Sequence, residues 1–382
     1  MPALKRPAAA HTTTTQGSTK RSRTSIESTN DYEAISCIGE GGSGLVLEAL
    51  HCATGNTVAI KFLSPPDPDD DVEEPPEVAE LLSEARSLEA CSGNPYVIGF
   101  QGLVRHPTTG ELGLVMEHVA APSLHAFLRR GPPLTEPTIR AFMRKLLTGA
   151  KMMHARHLVH RDIKPRNILV DDGQGIIKIC DLGLAISLSS QPPPYAQAGT
   201  RGYMAPEMLL QRPDYDAQVD AWSLGCVMAE MLTGGGKTLF LGQDDDDEDE
   251  FFDDEMLQLG SIFRVLGTPD EKTWPGFASL PLTAKAMQLL PAVRHGHHSR
   301  LREIFPEEKL SEQGFEVLQG LLTCNPDKRL TATKALKHTW FADPRPAAAK
   351  VDAFAKKAPR IKFIPPAIPE KITFKVPLAQ RV

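Results

Sequence analysis

The sequence predicts an α+β protein of two lobes, a small, mainly antiparallel β domain followed by a larger, mainly helical one. Three observations carry that expectation. The chain has 382 residues, more than the roughly 250 to 300 at which single cores stop growing. Its first third holds short β-type runs divided by glycine-rich and asparagine-containing turns. After Ala120-Ala121-Pro122 the pattern changes to long helical stretches. Hydrophobic residues at 41% and charged residues at 24% are ordinary globular values and argue against disorder throughout or a fibrous repeat.

Residues 1–30 are rich in Ala, Thr, Ser and basic side chains and show no apolar period, so they read as a disordered tail. The clusters Lys5-Arg6 and Lys20-Arg21-Ser22-Arg23 read either as a nuclear import address or as ordinary solvated charge. The expected location is nucleus and/or cytoplasm: the tail has no apolar segment for a secretory signal, and no run approaches the roughly 18 apolar residues of a membrane helix. Order is expected from near Asp31, with strands over Ala34 to Ile38, Leu45 to Leu50 and Thr57 to Phe62. A loop rich in proline and acids, Ser64 to Pro76, leads to a helix from Glu77 to Ala90, where Val78, Leu81, Leu82, Ala85 and Leu88 share one face. Strands around Val97 to Val104 and Leu112 to His118 complete the small domain. The long helices Glu136 to His154 and Val219 to Leu232 mark the second domain. Beyond residue 343 the chain is rich in Pro, Ala and Lys and reads as a tail.

Net charge is −6, but ten acids crowd into Asp244 to Glu255 (DDDDEDEFFDDE), and without them 42 basic residues face 38 acidic ones, a balance of plus four. The insert is either a solvated loop or an attractor of basic partners. The six cysteines lie far apart with no CxxC pair, which argues against a disulfide framework and against a zinc site, and for a reducing compartment.

Gly39-Glu40-Gly41-Gly42-Ser43-Gly44-Leu45-Val46 has the spacing GxGxxGxV between two strands. A dinucleotide-binding turn shares the glycines but runs from strand into helix, whereas an apolar strand-like run follows Gly44. Glycines let backbone amides approach phosphate oxygens. On the next strand, Val58-Ala59-Ile60-Lys61, alternation points Ala59 and Lys61 to the same face. Thr233 to Thr238 (TGGGKT) imitates the end of a P-loop, but the first glycine of that motif would fall on Met231, inside a helix, so the segment reads as the loop after that helix.

Further along stand His160-Arg161-Asp162-Ile163-Lys164-Pro165-Arg166-Asn167, then Asp181-Leu182-Gly183 and Ala205-Pro206-Glu207. With the glycine loop and the strand lysine, these make the chain resemble the protein kinase family over residues 31–343, about four fifths of its length. The segments VDAWSLGC (219–226), LGTPDE (266–271) with Trp274-Pro275-Gly276, and NPDKRLTATKALKHTWF (325–341) are similar to cyclin-dependent kinases, the plant group F among them. The resemblance implies a bilobal kinase fold, with one key helix in the β lobe, that phosphorylates Ser/Thr hydroxyls on protein substrates using ATP and Mg2+.

Residue by residue, the resemblance implies that Ile38, Gly39, Glu40, Gly41, Gly42, Ser43 and Gly44 cover the nucleotide and that Lys61 holds its α and β phosphates. Glu84 pairs with Lys61; Glu80 and Glu89 are nearby alternatives, and the distance to Asn94-Pro95 and the inward face of Leu81, Ala85 and Leu88 favour Glu84. Asp181 and Asn167 bind the magnesium ions, oxygen donors suited to a hard cation, and Asp162 accepts the substrate's hydroxyl proton. Adenine lies between Val46 and Ala59 above and Leu169 below, with Met116 at the back and the backbone of Glu117 to Val119 alongside. Lys164 and Thr200 match the Ser/Thr form of their motifs, and Glu207 is expected to form a buried pair with Arg329.

The chain departs from cyclin-dependent kinases at several places. A cyclin is an implied partner, yet the helix bearing Glu84 reads EVAELLSEARSLEA instead of a PSTAIRE-like signature, and cyclin contacts are side-chain specific. The position of the activating threonine holds Tyr195, and of three arginines that would grip a phosphate there only Arg161 remains, with Ser83 and Ile186 at the other two. Leu182 replaces the usual phenylalanine, and Met204 stands where proline-directed relatives use an arginine to fix the backbone near Gly199. Two other readings are a pseudokinase scaffold, which loss of Lys61, Asp162 or Asp181 would favour, and a nucleic-acid binder, which lacks aromatic interleaving between its basic clusters.

Overall fold

A computed structural model describes residues 26–41, 44–63, 76–171, 173, 175–190, 192–240, 254–289 and 298–342. Gly42, Ser43, most of the loop at 64–76, most of the acidic insert, and the terminal tails up to residue 25 and from residue 343 lie outside the described residues. The β lobe contains β1 (Glu27–Ser28), β2 (Tyr32–Gly41), β3 (Gly44–His51), β4 (Thr57–Phe62), helix α1 (Pro76–Ala90), β5 (Phe100–Arg105) and β6 (Leu112–Glu117). The strands form one sheet in the order β1-β5-β6-β4-β3-β2, antiparallel at every pairing except β1 with β5.

Order starts before Asp31, a correction to the sequence reading: Glu27 and Ser28 pair with Val104 and Arg105, and Ser28 and Asp31 cap a 3-10 turn that buries Thr29. A two-residue strand has no periodicity to betray it. Two further expectations shift. The strand expected from Val97 begins at Phe100, because Val97 instead bridges to Ile179 in the second lobe. Val78 is 40% exposed, so the apolar face of α1 starts a turn later, at Leu81.

The period of two along β4 sorts its residues onto two cores. Val58, Ile60 and Phe62 join Leu47, Ala49, Val104 and Val115 on one face. Ala59 joins Leu81, Ala85, Leu88, Leu114 and Met116 on the other, where α1 packs and the second lobe begins. Lys61 shares this second face with Val46, its cross-strand partner. The strand's geometry thus turns one buried cation toward the cleft between lobes.

The second lobe contains α2 (Leu124–Arg130), α3 (Glu136–His154), β7 (Leu158–Val159), β8 (Ile168–Asp171), β9 (Ile176–Ile179), β10 (Ile186–Ser187), α4 (Pro206–Leu209), α5 (Gln218–Thr233), α6 (Asp254–Leu266), α7 (Thr283–Leu289), α8 (Leu301–Ile304), α9 (Glu312–Leu321) and α10 (Ala332–Ala335). Helix α5 is buried from Gln218 to Met231, as a helix apolar around most of its circumference must be. It packs against α3 and α9. The lobes are joined by backbone bonds from Ile98 N to Ile179 O (2.9 Å) and from Ile179 N to Tyr96 O (2.8 Å), and by Asn94 Nδ2 donating to Gly149 O (2.9 Å). All six cysteines are free. No helix among the described residues is long and apolar enough to cross a membrane.

Candidate active site

The glycine segment is a hairpin, with Gly39 paired to Val46 and Gly41 to Gly44. Gly44 has φ +102°, and a Cβ there would stand 2.1 Å from Phe62 O, so only glycine lets β3 leave the turn so close to β4. Ile38 (41% exposed), Glu40 and Gly41 lie open along this edge. Ala59 pairs with Met116; both are buried, and with half-buried Val46 they share the cleft-facing side of the sheet. Leu169, half-buried on β8, bridges to Ser123 just beyond the connecting segment. In that segment Glu117 N donates to Gly99 O (2.8 Å), while the Glu117 carboxylate accepts from Gly99 N and Lys178 Nζ. Val119 follows, half-buried.

Lys61 Nζ lies 2.8 Å from Glu84 Oε2 and 2.9 Å from Asp181 Oδ1. Glu84 is 2% exposed, whereas Glu80 and Glu89 on the same helix are exposed: helical phase separates them. Burial opposes charge on Lys61, but the Glu84 and Asp181 carboxylates outweigh it and hold the ammonium above its ordinary pKa. Burial likewise opposes charge on Asp181, and the Lys61 ammonium overcomes it, so the carboxyl sits below the ordinary range. Next to it Leu182 is fully buried, filling its apolar socket without a ring.

Across the cleft, Asp162 forms the centre of a second cluster. Its Oδ2 lies 2.8 Å from Lys164 Nζ and accepts from Asn167 Nδ2 at 3.0 Å; its Oδ1 accepts from Thr200 Oγ1 at 2.6 Å. The Lys164 ammonium also donates to Thr200 Oγ1. Asn167 donates from its side-chain Nδ2 to Asp162 O and Oδ2, both at 3.0 Å, and accepts from Cys180 N at its backbone oxygen, which leaves the side-chain Oδ1 without a bond among the described residues. That oxygen and the Asp181 carboxylate are hard donors of the kind magnesium shares with phosphates. Among the described residues there is no all-protein cluster of three or more His, Cys, Asp or Glu that would hold a metal alone.

Two positioning residues were missed by sequence reasoning. Asp220, fully buried on α5, accepts from His160 N (2.9 Å), Arg161 N (2.9 Å) and His154 Nε2 (2.8 Å), and so ties down the loop that carries Asp162. Burial pushes this carboxyl up, but His154 and His160 outweigh it and hold it below its ordinary pKa. Gln258, buried on α6, accepts from Gly202 N and donates to Met204 O, both at 3.0 Å. For Asp220 the signal was a charged residue within the apolar helix expected at Val219 to Leu232; Gln258 offered none.

In the described part of the segment from Asp181 to Glu207, neutral acceptors hold Arg161. Arg161 Nε donates to Leu184 O (2.6 Å), and its Nη1 donates to Ala196 O (3.2 Å) and Tyr215 Oη (3.0 Å). Tyr195 N donates to Pro213 O, and its ring lies 5.4 Å from that of Tyr215. Ser83 is half-buried on α1, and Ile186 pairs with Val159, so neither position supplies a cation. Gly199 has φ +123°, and a Cβ there would stand 2.6 Å from Arg161 O. The bend at this position is therefore present although Met204 cannot donate to it. Glu207 and Arg329, each about 1% exposed, form a bidentate pair at 2.6 and 2.7 Å.

A β lobe and a helical lobe that meet over a buried lysine–carboxylate pair, opposite a carboxylate already bonded to a lysine and a threonine, define the kinase class of phosphotransferase folds. Residues 32–341 match the family model described as protein kinase domain, and the chain belongs to that family. It is 42% identical over 320 residues to a protein of Oryza sativa subsp. japonica provisionally named cyclin-dependent kinase F-2, covering 82% of this chain and 90% of that one. Cyclin-dependent kinase G1 of Arabidopsis thaliana is 36% identical over 82% of this chain but 49% of its own length. Cyclin-dependent kinase 20 of Danio rerio is 33% identical, covering 83% of this chain and 86% of its own.

Proposed function

We propose that the chain transfers a phosphoryl group from ATP to serine or threonine hydroxyls of protein substrates. The observation that carries this reading is Lys61 held between Glu84 and Asp181 at 2.8 and 2.9 Å, opposite the cluster of Asp162, Lys164, Asn167 and Thr200. Lys61 would neutralise phosphate oxygens, and Glu84 keeps its ammonium in place. Asp162, already accepting from a hydroxyl at 2.6 Å, would orient the substrate hydroxyl and take its proton. Asp181 and Asn167 would hold magnesium, which supplies neutralisation of phosphate charge. Ile38, Gly39, Glu40, Gly41, Gly44, Val46, Ala59, Met116, Glu117, Val119 and Leu169 would enclose the nucleotide; Gly42 and Ser43 complete the motif in sequence.

The test is a phosphorylation assay on the full chain with ATP, magnesium and a peptide library, with and without cyclins. Asp162→Asn is expected to lower turnover by on the order of 10²-fold or more, and Lys61→Met to impair transfer with little change in melting temperature. Equal rates for parent and Asp162→Asn would overturn the reading.

A further inference from the structure

The loop at 233–238, left over once the P-loop resemblance is set aside, sits beside the catalytic cluster. Arg166 is exposed in the 3-10 turn Pro165–Asn167, directly before Asn167, while its two neighbours are buried. Helix α2 packs on this turn and brings His125 and Arg129 with it. Gly236 closes on the same helix: a Cβ there would meet Arg129 Cγ at 3.0 Å and His125 Cε1 at 3.2 Å. Its φ of +70°, shared with Gly235 and nearly with Gly234, turns the chain so that exposed Lys237 follows at this edge.

Arg129, Arg166 and Lys237 form no close ion pair among the described residues, although the Arg166 charge acts on the buried Glu230 carboxyl. Among the described residues the acid at this place is Glu230, which has no exposed surface. Its Oε2 accepts from Tyr203 Oη (2.5 Å), and its Oε1 has no hydrogen-bond partner, with His125 Nδ1 3.9 Å away. Burial pushes the Glu230 carboxyl up, which weakens its ability to offset the cations around it. His125 is shifted down by burial and then by the charges of Arg166 and Arg129, so both cations act on the ring that α2 carries to this turn. Among the described residues, three exposed cations over one enclosed carboxylate leave a net positive surface next to the hydroxyl-binding cluster.

We infer that the chain selects substrates bearing an anionic side chain, a carboxylate or a phosphate, within a few residues of the target hydroxyl, gripped by Arg166 and Arg129 with Lys237 at the rim. Guanidinium groups suit both anions because they donate in a planar fork. The unpartnered Glu230 oxygen offers the opposite choice, a basic substrate residue, but any such residue would stand among Arg166, Arg129 and His125.

The inference rests on the protein-kinase reading, and its test separates the two. Peptides with one Ser and a single Asp, phosphoserine, Ala or Arg scanned through the flanking positions are offered to the full chain with ATP and magnesium. At the best position, Asp or phosphoserine is expected to exceed Ala by about tenfold in kcat/KM, and Arg to fall below Ala. The Asp and phosphoserine arms show which anion is preferred. In Arg129→Gln/Arg166→Gln the ratio of acidic to alanine peptide is expected to shrink to about twofold or less, a ratio that a general loss of folding does not move. No acidic preference, or preference for Arg, overturns the inference while leaving the kinase reading intact. If no peptide is phosphorylated, the kinase reading falls. Fluorescence anisotropy of labelled acidic and basic peptides then decides, with equal binding refuting the site.

Discussion

Replacing Asp220 by Asn would test how the catalytic loop is held. The carboxylate accepts three hydrogen bonds at 2.8–2.9 Å, two of them from the backbone N–H groups of His160 and Arg161. An amide of the same shape has one acceptor oxygen. In either orientation its NH2 confronts an N–H donor, so at least one charge-assisted bond is lost and one buried donor is orphaned. Each effect is in the range of about 1–3 kcal/mol and the two overlap, giving roughly 2–4 kcal/mol. Asp162 lies two residues beyond His160, so the cost reaches the site as displacement, and about 1 Å there is worth up to 10²-fold in rate. The expected result is kcat reduced by roughly 10- to 100-fold with KM for ATP little changed, since Asp220 does not bond to Lys61 or to the residues proposed to enclose the nucleotide. Steady-state kinetics alongside thermal melting would show it. Because the carboxyl is held below its ordinary pKa, its stabilisation is present above the unfolded value of about 3.9 and lost as pH falls through the folded value. The melting difference between parent and variant should therefore narrow in acid. Parental kcat and an unchanged melting temperature would refute the reasoning.

Three other outcomes are expected. Phosphatase treatment and Tyr195→Phe should each leave activity intact, because Arg161 is already satisfied by Leu184 O, Ala196 O and Tyr215 Oη; abolition by phosphatase would show a required phosphate. Arg329→Ala should destabilise by about 3–5 kcal/mol, since it leaves Glu207 buried and unpaired, and a melting temperature within error of the parent's would contradict that. For proline direction, Met204 lacks the hydrogen-bond donor of proline-directed relatives, so the expected preference for proline after the target residue is below tenfold, about 1.4 kcal/mol. A larger preference on a peptide array would show that the bend at Gly199, with φ +123°, suffices alone.

The parts of this protein that are local in sequence were legible there. The glycine hairpin follows from turn chemistry, and the direction of Lys61 from the period of two along β4. The choice of Glu84 over Glu80 and Glu89 agrees with helical phase, since only Glu84 is buried. The bulk of the two-lobe organisation follows from the change of period after Pro122. Tertiary structure alone decided that Glu27–Ser28 adds a parallel strand, that Asp220 holds residues 59 and 60 positions earlier, and that Gln258 clamps Gly202 and Met204 from more than fifty positions away. It also decided that Arg161 is occupied by neutral acceptors and that Arg166, Arg129 and Lys237 share one edge. The physical reason is that a side chain's spacing reveals which way it points from its own strand or helix, whereas its hydrogen-bond partner is chosen by whatever the packing of distant segments brings within 3 Å.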